Sequence, residues 1–178
     1  MTLRALAEAL QIKHPGILLQ ALIGLIGRGF NQIIYEVFRQ DMSNLDLYCR
    51  TYPDVEIKFD AATNQYYSIL PEQIVQLPDQ GEGVRWIFPM KGRDIMFLPV
   101  TRDAWNVHDN MPVPVFDTSV SYSVTNGRVE YNKKPPLPDG AKVKMGLVIP
   151  IEKYGANEEI NIPAGQDARL LEIVDMFI

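Results

Sequence analysis

Two histidines, one cysteine and a few acidic neighbours are the side chains here best suited to metal, nucleophilic or acid–base chemistry. His108 lies in "TRDAWNVHDN", close to Asp103 and Asp109. A metal or an acid–base pair would draw on such a grouping, yet its spacing matches no zinc or calcium ligand pattern. A solvated polar loop beside Trp105 accounts for the same residues. His14 precedes Pro15 at the start of a helix pattern and reads as a residue of the cap region. Cys49 stands alone, so it can form neither an intramolecular disulfide nor a cysteine zinc site. It fits a reducing compartment and reads as a small, half-buried apolar side chain. Glu158 and Glu159 read as a solvated turn and not as a glycosidase pair. The sequence contains no G-x-S-x-G, no H-E-x-x-H and no P-loop. No catalytic residue, metal or cofactor is therefore expected, and the chain is not read as an enzyme.

Two glycine-rich stretches invite a phosphate reading and fail it. Gly24, Gly27 and Gly29 are spaced G-x-x-G-x-G within a helix pattern, whereas a dinucleotide fingerprint is G-x-G-x-x-G after a strand. Helix packing explains them better. Gly81-Glu82-Gly83 places an acid where an anion site needs amide donors, so it turns the chain between two strand-like runs. The net charge of -5 and pI near 5.0 also argue against a phosphate-gripping surface. The acid is uneven: Ile151–Ile178 holds six acids against two bases.

The elements that would position these residues follow from periodicity. Leu3, Leu6 and Leu10 with Thr2 as cap predict a first helix over 2–11. A second, with Pro15 in its first turn, runs to about Gln40, where Phe30, Ile33, Ile34, Val37 and Phe38 make one stripe. Its apolar run between His14 and Arg28 is shorter than the roughly 20 residues that span a bilayer, and no signal-peptide cleavage site follows. From about residue 43 the period becomes two. Val55, Ile57 and Phe59 alternate with polar residues, and "DAATNQ" turns the chain back through "YYSIL". Val84–Pro89 and Asp94–Pro99 flank "MKGR" as a further hairpin. "SVSYSVTNGRVEYN" is a hairpin closed by a type I′ Asn126-Gly127 turn, and "KVKMGLVIPI" adds another strand. Pro163–Gln166 begin a last helix with Leu170, Ile173, Val174 and Phe177 on one face.

These elements define an α+β protein: N-terminal and C-terminal helices packed together, with a mainly antiparallel sheet or barrel-like region between them. The expected segments are 1–42 helical, 43–162 antiparallel β and 163–178 the C-terminal helix. Two proline-rich loops carry unusually apolar residues for solvent. One comprises Met111, Pro112, Val113, Pro114, Val115 and Phe116, and the other contains Pro135, Pro136 and Leu137. Both are read as stiff arms at a subunit interface. The apolar Met176-Phe177-Ile178 likewise needs a cover, from the chain's own core or from another subunit.

Tyrosine-rich strands in "LYCRTYPDVEIKFDAATNQYYSIL", then "LPEQIVQLP", then "GVRWIFPM", and "IPAG" before the last helix form a set. As a set they resemble the head-to-tail connector (adaptor) ring proteins of podovirus-like tailed bacteriophages, of the crAss-like, Bacteroidetes type. The resemblance covers most of Leu47–Val100 and the final helix. It implies a structural virion protein, assembled in the host cytoplasm, that forms a homo-oligomeric ring, usually a dodecamer. Such a ring sits below the portal protein, extends the DNA channel and seats the adjoining tail proteins. Double-stranded DNA passes without sequence-specific binding, and no membrane is involved. On this reading Asp167, Glu172 and Asp175 are candidate channel-facing acids, repelling phosphates so that the genome slides. The alternative is a β-rich binding module that recognises a carbohydrate or host protein through Trp86, Trp105 and the tyrosines.

Overall fold

The computed structural model describes residues 1–40, 42–77, 82–91, 95–110, 119–138, 140–163 and 165–178; the side chains of Met42, Ser43 and His108 lie outside the description. In chain order the elements are α1 (Leu3–Lys13), α2 (Leu19–Gln40), β1 (Arg50–Glu56), β2 (Lys58–Asp60), β3 (Gln65–Ile69), β4 (Val84–Pro89), β5 (Met96–Pro99), α3 (Trp105–Asp109), β6 (Ser119–Thr125), β7 (Arg128–Tyr131), β8 (Lys142–Leu147) and α4 (Gln166–Asp175). The fold is α+β. Two units divide it: a helical one, Met1–Cys49 with Ile149–Ile178, and a β unit, Arg50–Val148.

In the helical unit, the Thr2 hydroxyl accepts from the Ala5 amide at 3.2 Å and so satisfies one of the unpaired donors that open α1. Leu3, Leu6, Ala7 and Leu10 form its buried face. Pro15 does not enter the first turn of α2. The His14 carbonyl takes the Ile17 amide at 3.1 Å, and the helix starts only after Leu18. Leu22, Ile26, Phe30, Ile33 and Ile34 then face the core. The middle of that face is glycine. A Cβ on Gly29 would lie 2.9 Å from Val174 and 3.0 Å from Leu170, and one on Gly27 would lie 3.1 Å from Ile151. "GLIGRG" is thus a packing surface, on which α4 rests by Leu170, Ile173 and Val174.

The helical unit takes in more chain than the expected segments 1–42 and 163–178. Met42–Tyr48 forms a 3₁₀ turn that buries Leu45 and Tyr48, the latter edge-on to Phe30 with ring centroids 6.2 Å apart. Ile151, Tyr154 and Ile160 are buried as well, and the Ile160 amide donates to the Met1 carbonyl at 3.0 Å. Apolar residues at irregular spacing hide such segments from a period-two reading.

The β unit contains two open sheets and no closed barrel among the described residues. One has the strand order β1-β8-β4, the other β2-β3-β7-β6-β5. The Val55–Phe59 alternation is one continuous run that changes sheets at Ile57. The β6–β7 hairpin forms as the sequence specifies: Thr125 pairs with Arg128 around Asn126 and Gly127, both at positive φ (49° and 77°). The strands expected to form a hairpin across 90–93 do not pair with each other. β4 pairs with β8, whereas β5 joins the other sheet and pairs parallel to β6. A parallel pair needs a crossover, so β5 and β6 are separated by α3 and the chain around it. Ile74 and Val75, read as a strand-like run, are buried without joining a ladder. Gly83 lies against them: a Cβ there would be 2.7 Å from the Val75 carbonyl.

Candidate functional site

The three nominated acids lie on α4 but have different surroundings. Asp175 is bound within its own unit. Lys13 Nζ donates to one carboxylate oxygen at 3.0 Å, and His14 Nε2 lies 3.1 Å from the other. The hydrogen bond from Lys13, then that from His14, holds its pKa below the ordinary aspartate value. Glu172 is exposed and Asp167 half-buried. Between them Arg169 reaches across to Glu36 of α2, whose carboxyl is held low by the Arg169 hydrogen bond and then by Gln32. α4 is therefore fastened to α2 by Arg169 and to the end of α1 by Asp175.

Exposed apolar side chains belong to the segments that the second fastening joins. Ile12 is 84% exposed, Leu18 78% and Met176 73%, and Phe177 and Ile178 are also exposed. They belong to the end of α1, the α1–α2 turn and the end of α4, the segments joined by the Lys13/His14–Asp175 bridge. Phe177, expected on the inner face with Leu170, turns outward instead because α4 ends at Asp175.

Of the two proline loops, one is described. Met111–Phe116 lie outside the described residues. Of the three residues nominated in the second loop, Pro136 is exposed, while Pro135 and Leu137 are buried. The Leu137 amide folds back on the Pro135 carbonyl at 2.7 Å, and the pair lines a small recess with Ile57 and Tyr66. Apolar residues in this loop serve the chain's own β unit, which removes Pro135 and Leu137 from the expected arm.

The two tryptophans stand at different sheets. Trp86 covers Gly146 of β8 so closely that a Cβ there would lie 2.2 Å from the indole; Phe88 and Lys144 flank the ring at 5.3 and 5.6 Å. Trp105 stands beside the other sheet. Its indole N–H donates to the Val100 carbonyl at 3.2 Å, and the Arg102 guanidinium lies 5.9 Å from its ring centroid. Arg102 also donates to Gln65 at 2.9 Å and sits 3.5 Å from Glu130, a carboxylate only 2% exposed that Arg128 approaches at 3.1 Å from the other side. These residues border a groove of about 430 Å³, where β3 begins and β7 ends, with Asn64, Tyr66 and Lys133 on its walls. Sequence reading picked out Trp105 but missed Arg102 and Lys133; a cation stacked on an aromatic three residues away was the available signal.

The His108 grouping is described only in part. The His108 side chain lies outside the described residues, Asp103 is exposed, and Asp109 accepts from the Asn132 amide. Among the described residues no three His, Cys, Asp or Glu side chains are placed to hold a metal ion, and no helix is long and apolar enough to cross a membrane. Cys49 is half-buried, with its thiol 3.6 Å from the Leu45 carbonyl. No protein-family model matches the chain, and a search of curated proteins returns no match.

Proposed function

We propose that this chain is a structural virion protein, a head-to-tail connector subunit that closes into a ring below the portal and seats the next tail component. The observation that carries the reading is the exposed apolar set of the helical unit, Ile12, Leu18, Met176, Phe177 and Ile178, on the segments that the Asp175 bridge joins. Large apolar side chains left exposed on neighbouring segments suit a protein–protein contact. A ring needs a head-to-tail contact between unlike faces that closes by rotation. The edge that carries these residues offers one such face, and the sequence resemblance supplies the kind of assembly. The acidic character of α4 suits a channel that must not hold DNA, and here it falls to Asp167 and Glu172, since Asp175 is already neutralised by Lys13.

Native mass measured for the chain alone and mixed with a portal tests the reading. A closed multiple of the 20.2 kDa subunit, near twelve copies, is the expected result. Leu18→Glu combined with Met176→Glu abolishes that species while leaving the helical circular dichroism and melting of the monomer intact. A monomer under both conditions ends the proposal. Asp167→Asn with Glu172→Gln leaves rings intact and slows genome ejection.

A further inference from the structure

We propose that the groove at the end of the five-stranded sheet binds an acidic saccharide unit, held by its acid group at Arg102 and Lys133 and by its ring against Trp105. The groove has the chemistry for both parts. Arg102 donates to Gln65 at 2.9 Å and lies 3.5 Å from buried Glu130, so its guanidinium is oriented toward the groove while 57% of the side chain stays open to a ligand. Lys133, half-buried on the groove wall, has no acidic partner among the described residues. The guanidinium N–H groups that Gln65 and Glu130 leave unused, with an ammonium on the same groove, match a carboxylate or a sulfate. The indole of Trp105 is fixed, because its N–H is tied to the Val100 carbonyl at 3.2 Å. A fixed ring presents an apolar face at little entropic cost, which suits the C–H face of a sugar.

The remaining polar groups decide between a sugar and a bare anion. Asn132 is committed, its carbonyl accepting from the Ser121 amide at 2.8 Å and its amide donating to Asp109. Asn64 and Gln65 line the groove, and Gln65 uses its side-chain carbonyl, not its N–H₂, for Arg102. These donors suit ring hydroxyls. A volume of about 430 Å³ falls in the range of small-ligand sites and is far too confined for a DNA duplex. This site belongs to the β unit and does not depend on ring assembly: a monomer that binds, and a ring that does not, are both readable.

The test is a titration of the full-length ¹⁵N-labelled chain with a galacturonate oligomer, a sulfated disaccharide, neutral maltotriose, inorganic phosphate and a short DNA duplex. The two tryptophans give two indole N–H signals, one in the groove and one outside it. With either acidic sugar the Trp105 signal shifts to saturation while that of Trp86 stays in place, and the tighter of the two identifies the acid. Lys133→Gln weakens this binding tenfold or more. Arg102→Gln does the same, with Glu130 still paired to Arg128 at 3.1 Å. Should Arg102→Gln melt early, Lys133→Gln alone decides. The proposal is overturned by a silent Trp105 signal. It is overturned equally by the same response to maltotriose, phosphate or DNA, or by unchanged affinity in Lys133→Gln.

Discussion

Two glycines of α2 meet opposite surroundings, and that contrast makes a residue-level experiment. Gly24 is exposed and has open space where a Cβ would go. Gly29 is buried, with Val174 and Leu170 within 3.0 Å of that position. Both replacements by alanine gain the same helix propensity, about 1 kcal/mol. Gly24→Ala keeps that gain and stabilises the chain by roughly 0.5–1 kcal/mol. Gly29→Ala must push α4 away, and overpacking of this kind costs about 1–3 kcal/mol, which outweighs the gain. Urea unfolding of the two variants, side by side, should move the midpoint in opposite directions; a shared rise would mean that α4 does not rest on Gly29. Gly146 obeys the same rule on the other unit. Gly146→Ala would need the space filled by Trp86, and the expected readout is a changed indole fluorescence together with a lower midpoint.

At the scale of an element, α4 is the one whose attachment depends on pH. Asp175 and Glu36 are both held below their ordinary values by hydrogen bonds from cations, Lys13 and Arg169 first in each case. A carboxyl with a lowered folded pKa favours the folded state only while it is ionised. The contribution is complete above about pH 5, shrinks as pH falls through the lowered values, and is absent once both states are protonated. Because Lys13 is 58% exposed and Arg169 52%, solvent screens both pairs, and each contributes under about 1 kcal/mol. Asp175→Asn should therefore lower the urea midpoint slightly at pH 7, and the gap to the unaltered protein should close near pH 2. A gap that persists in acid would show that the substitution disturbs packing and not charge.

For the molecule as a whole, what the sequence disclosed was local. Period and caps placed α1, most of α2 and α4, and Asn126-Gly127 placed the β6–β7 turn, because neighbours along the chain determine these features. Strand partners are determined by distant residues, so β4 and β5 looked like one hairpin yet entered separate sheets. Of the groove, Trp105 was legible as an aromatic in a polar loop. Glu130 alternates with buried Val129 like a solvent residue, and only the arginines of two separate segments reveal it as an anchor. Topology adds a consequence that no local pattern holds. Arg50 and Leu147 are paired Cα partners in β1 and β8, so the β unit is entered and left through adjacent antiparallel strands. It is an insertion in the helical unit with its two ends side by side. Replacing Arg50–Val148 by a short Gly/Ser linker should then close the loop at small entropic cost and leave α1, α2 and α4 packed about Gly29. The shortened chain is small enough for its core to be marginal, so the expected product is less stable but still cooperative, with dispersed methyl signals and a smaller urea m-value. If the assembly face lies on Ile12, Leu18 and Met176, this product also keeps the self-association of the full chain and loses it on Leu18→Glu. A shortened protein that unfolds without cooperativity would show that the helices need the inserted sheets to hold together. One that folds but no longer associates would move the assembly face to the β unit.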